Sequence, residues 1–253
     1  MKVLIPYIEK LHVKEVHIWD FTRTESDAMY LQNSCQKFKI FSVKDKSTYN
    51  EYYDYYTKDK YDPMDVIVKC DDDIVFIDVD SFDSFIDARR KDPSAFIYSA
   101  NTVNNPVCTL VNTQRGIYSI VHEIKVDTET PPDFVHNDFL EDPTHFISKC
   151  KNTRRLSEIK LFNQSYMRFN INFIAVLAQD LDIFQDEKIR VDDELFLGTY
   201  GPHVYNRNVV IDLHFVVSHM AYTKQRENGY DETAHLERYS RIDLYTRRLQ
   251  DVS

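Results

Sequence analysis

Glycine is scarce in this sequence, with four in 253 residues. That excludes a Walker-type or dinucleotide-type phosphate loop, which needs several glycines at fixed spacing. Any nucleotide must be held by other means. The four cysteines, Cys35, Cys70, Cys108 and Cys150, are scattered without a CxxC pair, which argues for reduced thiols and against a disulfide framework or zinc site. No apolar run approaches a bilayer span, and "MKVLIPYIEK" lacks the apolar core and cleavage site of a signal peptide. The expectation is a protein with no membrane anchor, in the cytoplasm. Basic excess is missing too: 31 Lys and Arg stand against 41 Asp and Glu, a formal net charge of -10. Nucleic acid is disfavoured as a partner, because a phosphate backbone is normally met by a basic face. A small phosphorylated ligand remains open if a divalent cation mediates.

What is abundant is aromatic, with 17 tyrosines and 16 phenylalanines. Strand-like and helical segments alternate through the first hundred residues. "LIPYIEKL" reads as a short helix, "EVHIWDF" as a strand, "SDAMYLQNSCQ" as a helix capped by Ser26, and "FKIFSV" as a strand. "STYNEYYDYYTK" places Tyr49, Tyr52, Tyr53 and Tyr56 on one helix face. "MDVIVKC" suits a buried parallel strand, "FDSFIDARRK" a helix and "AFIYSAN" a strand. Residues 104–155 read as irregular. "RFNINFIAVLA", "VDDELFLGTY" and "VVIDLHFVVSHMAY" restart the pattern, and "HLERYSRIDLYTRRLQ" reads as a helical tail. The prediction is one α/β domain over 1–253, a mixed but mostly parallel sheet flanked by helices.

Three polar constellations stand out. Asp71, Asp72 and Asp73 follow the apolar run "VIVKC", where ligands bind beyond the carboxyl ends of strands. Side-chain alternation lets Asp71 and Asp73 point the same way, a natural hard-cation site for Mg²⁺ or Mn²⁺. Asp192, Asp193 and Glu194 precede an apolar segment; a carboxylate there can act as a general base, or can simply start a helix. His219 ends an apolar strand with Lys224 close behind. It is either a third metal ligand or a hydrogen-bonded core histidine, and the lysine can meet a phosphate.

In this order, "KCDDDIVFID", "VDDELFL" and "DLHFVVSHMAYTKQ" resemble the metal-dependent glycosyltransferases of the GT-A fold. "HIWDFTRTESDAMYL", "SANTVNNPVC" and "RFNINFIAVLAQDL" extend the resemblance to enzymes encoded by large DNA viruses of the chlorella-virus type and their bacterial relatives. The resemblance implies a GT-A-like (Rossmann-like) domain, its nucleotide and metal half about 1–110 and its acceptor and catalytic half about 111–253. It implies Asp73, Asp71 and His219 as metal ligands, Asp71 and Asp72 also toward the nucleotide, and Asp193 as the base of an inverting transfer. Trp19, Asp20, Arg23 and Lys224 fall where the nucleotide would be contacted, and Asn104, Asn105, Asp192 and Glu194 where sugar or acceptor would be. For Asn104 and Asn105 turn chemistry is an equal alternative. The donor implied is a UDP-sugar, with xylose favoured. The acceptor implied is a glycan or glycoprotein, a viral capsid glycan in the host cytoplasm for a virus-type member. Two departures accompany it. Family chains open with a strand ahead of a helix like "LIPYIEKL", whereas Met1 lies almost inside that helix, implying a truncated chain or a replaced element. The glycine-bearing loop ahead of the acidic motif has no counterpart; Gly198 and Gly201 follow it.

Two other classes compete. "FIDVDSFDSFID", with Asp78 and Asp80, resembles metal motifs of phosphoryl-transfer enzymes, either nucleotidyltransferases or phosphatases. A non-catalytic carbohydrate-binding protein on the same scaffold would use the tyrosine-rich segment to stack on sugars.

Overall fold

The structure is a computed structural model that describes residues 1–46, 48, 50–118, 134–159 and 171–250, without the side chains of 134, 156–159 and 243–250. In chain order the elements are α1 (Ile5–Ile8), β1 (His17–Asp20), α2 (Glu25–Ser34), β2 (Lys39–Ser42), α3 (Asn50–Tyr55), β3 (Val66–Cys70), β4 (Ile74–Ile77), α4 (Val79–Lys91) and β5 (Ile97–Val103). There follow α5 (Pro106–Gln114), α6 (Phe134–Glu141), α7 (Pro143–Lys151), β6 (Leu156–Ile159), β7 (Phe173–Leu177), α8 (Asp193–Leu195), α9 (Gly201–Val204), β8 (Val209–His219), α10 (Thr223–Glu227) and α11 (Glu232–Gln250). A π-helical turn, Phe196–Tyr200, joins α8 to α9.

The architecture is mixed α/β. β1 and β2 form a two-stranded parallel sheet, and six strands form a second sheet in the order β3-β7-β5-β8-β4, with β6 also on β8. The expected mostly parallel sheet is corrected here. Among the described residues of the larger sheet only β5–β8 is parallel; β3–β7, β5–β7, β4–β8 and β6–β8 are antiparallel. β8 accommodates both β6 and β4 along one edge because it is 11 residues long: Val209–Asp212 pair with β6 and Val217–His219 with β4.

Strand alternation sorts side chains onto two faces. Tyr98 and Ala100 of β5, Phe173 and Ala175 of β7 and Val210 of β8 join one core with Phe82 and Phe85 of α4 and Phe139 of α6. Ile97, Ile174, Val176, Val209 and Ile211 join the other, with Val107 and Val111 of α5 and Phe196 of the π turn. A smaller cluster, Ile5, Ile18, Leu31 and Cys35, packs α1 and α2 on the β1–β2 layer.

Several sequence expectations change. β3 is an edge strand paired antiparallel, and all five of its residues are half-buried. Among its described residues, the segment read as irregular holds three helices, α5, α6 and α7. The cap of α2 is Thr24, whose hydroxyl accepts from the Asp27 amide at 3.2 Å, so Ser26 lies inside the helix. Tyr49 and Arg168–Asn170 lie outside the described residues. Among the described residues, no helix is long and apolar enough to cross a membrane.

Candidate active site

A broad cleft of about 2050 Å³ lies against the β1–β2 layer and the carboxyl end of β3. Of the residues singled out from sequence, Trp19, Arg23, Asp71, Asp72, Asp73, Asp193, Glu194 and His219 line it. Asp20, Asn104, Asn105, Asp192 and Lys224 do not.

The triplet follows β3 in the tight turn that leads to β4. Asp72 is exposed, whereas Asp71 and Asp73 are half-buried. Asp73 Oδ2 lies 3.0 Å from His219 Nε2 and 3.9 Å from Arg226 Nη2. Register brings this about, because Ile74 pairs with His219 and the Met220 amide donates to the Asp73 carbonyl at 2.9 Å. Burial pulls the Asp73 carboxyl up, but the hydrogen bond to His219 and the charges of His219 and Arg226 outweigh it, and the group sits below the usual carboxylate range.

Asp71 has different company. The Lys69 ammonium donates to Oδ1, and Asn172 Nδ2 donates to Oδ2 at 2.9 Å. Burial works against the charge on Lys69, yet Asp71, Tyr52 and Asp193 around it hold its pKa above the ordinary lysine value. The like charge that makes "CDDD" costly is thus met by cations of the chain itself, Lys69 at one carboxylate and Arg226 near another.

Asp193 opens α8, and its Oδ2 accepts from Tyr53 at 2.8 Å and Tyr52 at 3.2 Å. Burial pushes both phenols up, so both stay protonated and remain donors. Asp192 is the N-cap, accepting from the Leu195 amide at 2.9 Å. The helix-start reading therefore describes Asp192, and it does not exhaust Asp193. Trp19 stacks on Phe41, with ring centroids 4.5 Å apart and planes 10° from parallel, and walls the cleft beside Tyr52.

The remaining candidates are placed elsewhere. Asp20 is turned onto Thr22, accepting from its amide at 2.9 Å and its hydroxyl at 2.6 Å. Asn104 is fully buried with φ 63°, and its amide donates to the Met220 carbonyl at 2.9 Å and to Gln225 Oε1 at 3.0 Å. Asn105 caps α5 through the Val107 and Cys108 amides. Neither asparagine reaches the cleft; turn and cap chemistry is what the structure assigns them. Lys224 is exposed on α10, and Arg226, one residue pair further, is the cation that faces Asp73.

A divalent ion finds a partial fit. Asp73 and His219 converge, and the buried His219 Nδ1 has no hydrogen-bond partner among the described residues. The contact with Asp73 puts a proton on Nε2; ligation would require that proton on Nδ1, freeing the Nε2 lone pair for the ion. Asp71 is engaged by Lys69 and Asn172, and no group of three His, Cys, Asp or Glu assembles among the described residues. One carboxylate and one imidazole suit an Mg²⁺ or Mn²⁺ ion that draws its other ligands from water and substrate phosphates.

Sequence reading passed over Lys69, Asn172, Tyr222 and Arg226 as site residues, and gave Tyr52 and Tyr53 a part only as sugar-stacking rings of the carbohydrate-binding alternative. The tyrosine helix was legible as a buried face, but nothing in its spacing reveals that two hydroxyls end on Asp193, 140 and 141 positions away. No family model, curated protein or solved structure matches this chain.

Proposed function

We propose that this chain is a metal-dependent glycosyltransferase of the GT-A type, inverting at the anomeric carbon, with a UDP-sugar as donor and a hydroxyl of a glycan or glycoprotein as acceptor. The observation that carries the reading is convergence. The Asp73–His219 pair, the Lys69-bound Asp71 and an Asp193 backed by two tyrosines open on one aromatic-walled cleft.

Asp73 and His219 would hold the Mn²⁺ or Mg²⁺ ion. The ion supplies neutralisation of the charge that grows on the departing nucleoside diphosphate. Arg226 adds a fixed positive charge beside the same carboxylate. Trp19 offers a flat apolar surface to the base or sugar. Asp193 Oδ2 is occupied by the two phenols, which leaves Oδ1 to take the acceptor proton. The acceptor oxygen then bonds to the anomeric carbon as the bond to the diphosphate oxygen breaks. Xylose is the favoured sugar, and the cytoplasm, the host's for a viral enzyme, the favoured location.

The phosphoryl-transfer alternative gains no support from Asp78 and Asp80. They open α4, Asp78 pairs with Lys151 at 3.4 Å, and neither lines the cleft.

The test is calorimetric titration with a UDP-sugar panel that includes UDP-xylose, in Mn²⁺ and in EDTA, on wild type, Asp73→Ala and Asp193→Asn. Binding is expected to require Mn²⁺ and to vanish in Asp73→Ala. Asp193→Asn is expected to bind donor normally and lose turnover by about 10²–10⁴-fold. Failure of every UDP-, GDP- and dTDP-sugar to bind would overturn the reading. EDTA-insensitive binding would remove its metal.

A further inference from the structure

Tyr222 lies between the two halves of the acidic site. Its hydroxyl donates to Asn172 Oδ1 at 3.2 Å and accepts from Asn105 Nδ2 at 3.1 Å. Asn172 in turn donates through Nδ2 to Asp71 Oδ2 at 2.9 Å, and its backbone carbonyl accepts from the Asp71 amide at 2.9 Å. The chain of donors has one direction. Asn105 is fixed because its own oxygen caps α5 through the Val107 and Cys108 amides. The Tyr222 hydroxyl must then point its proton onward, and Asn172 must present its amide hydrogens to Asp71. A flipped Asn172 would set a carbonyl oxygen against a carboxylate and forfeit both bonds.

The other side of the residue serves the other half. Its ring lies against the His219 imidazole, with centroids 4.5 Å apart and planes at 34°. Its amide donates to Gln225 Oε1 at 3.0 Å, and Gln225 is clamped to Asn104 by bonds of 3.0 and 2.9 Å. Asn104 and the buried His136 both donate to the Met220 carbonyl, at 2.9 and 2.8 Å, immediately after His219. Ring and hydroxyl therefore act on different groups: the ring backs His219, and the hydroxyl reaches Asp71 through one amide.

We propose that Tyr222 is a positioning residue that sets Asp71 relative to the Asp73–His219 pair, its hydroxyl orienting Asp71 through Asn172 while its ring orients His219. What those groups hold rests on the glycosyltransferase reading; the positioning itself does not.

The two functions separate by substitution. Tyr222→Phe keeps the ring on His219 and breaks the relay, whereas Tyr222→Leu removes both. Mn²⁺ affinity is read from the electron paramagnetic resonance of the free ion, and UDP affinity in saturating Mn²⁺ from calorimetry. In Tyr222→Phe, Mn²⁺ affinity is expected to stay within about twofold while UDP affinity falls about tenfold, the scale of one hydrogen bond that serves a charged group. Adding Asn172→Ala should cost nothing further, because both changes cut one chain. Tyr222→Leu should weaken Mn²⁺ as well. Additive losses in the double variant, or equal losses for Mn²⁺ and UDP in Tyr222→Phe, would overturn the proposal.

A ligand-free measurement keeps this separate from the enzyme reading. The side-chain amide hydrogens of Asn105 and Asn172 should lose exchange protection in Tyr222→Phe, while those of the buried Asn101 and Asn112 keep it. If wild type binds no nucleotide-sugar, the glycosyltransferase reading falls and these amides alone decide: unchanged protection in Tyr222→Phe would sink the relay.

Discussion

His136 is fully buried between α6, α11 and the end of β8. Its Nε2 donates to the Met220 carbonyl, so Nδ1 accepts from the Tyr239 hydroxyl, each at 2.8 Å. Burial first, then the neighbouring His235, with smaller effects of His219 and Arg238, drives its pKa down to about 3, against the bond to Met220. The unfolded chain takes up this proton near pH 6.5 and the folded chain only near 3. Stability tied to His136 is therefore complete above about pH 6.5. It is lost as pH falls from there toward 3, at ~1.4 kcal/mol per unit. Urea unfolding at pH 7, 6, 5 and 4 should show wild type losing stability faster than His136→Gln, which keeps a donor for Met220 and does not titrate. Parallel slopes would contradict the assignment. At this scale the sequence was partly legible. Asp73 drew notice as part of an acidic triplet after an apolar run, and His219 was open to a core role as well as a ligand role; the strand register that brings the two within 3.0 Å was not visible in the sequence. Asn104 and Asn105 had two readings of equal weight, and only the φ of 63° and the cap on α5 distinguish them. Arg226 was hidden by its proximity to Lys224, since helix phase, not sequence distance, decides which cation faces Asp73.

At the scale of elements, the errors have identifiable causes. "VIVKC" is apolar on both faces, and such a string does not encode the direction of its partner. β7, more than a hundred residues on, makes the pairing antiparallel. The segment read as irregular contains the prolines that open α5 and α7. Pro106 and Pro143 sit in the first turn, where a missing amide costs nothing, behind the caps Asn105 and Asp142. Gly201 shows an element-level constraint of another kind. It ends the π turn and starts α9 with an ordinary helical φ of -59°, so conformation does not require glycine there. Space does: a Cβ would stand 2.6 Å from Phe96 Cζ and 3.0 Å from the Phe196 carbonyl oxygen. Phe96 is fully buried and cannot swing away. Gly201→Ala should destabilise the fold by about 1–3 kcal/mol through overpacking, read as a lower urea midpoint at constant slope. Phe96→Leu in the same chain should return part of the loss. An unchanged midpoint would mean that α9 yields as a rigid piece.

At the scale of the molecule, the cleft is bounded by two bodies of unequal strength. β5 and β8 lie in the middle of the larger sheet, with cores on both faces. β1 and β2 stand as a pair, packed by a small apolar cluster and by rings that include Trp19, Phe41 and Tyr55. Two strands alone are marginal in water, so the β1–β2 layer should open at a lower free energy than the large sheet. Hydrogen exchange on the free protein should release the amides of His17–Asp20 and Lys39–Ser42 well before those of Ile97–Val103 and Val209–Asp212. A ligand that spans the cleft must touch the Trp19 wall and the Asp71–Asp73 turn at once, which ties the weaker layer to the stronger one. UDP with Mn²⁺ should therefore slow exchange in β1 and β2 by the mass-action factor its affinity dictates, about a hundredfold at one hundred times the dissociation constant. The amides of β5 should gain less, because their exchange is governed by larger openings. If β1 and β2 already exchange as slowly as β5 and β8 without ligand, the two sheets open as one unit and the cleft is rigid before anything binds. If exchange slows only at Asp71–Asp73, the ligand sits on the acidic turn alone and the aromatic wall serves packing.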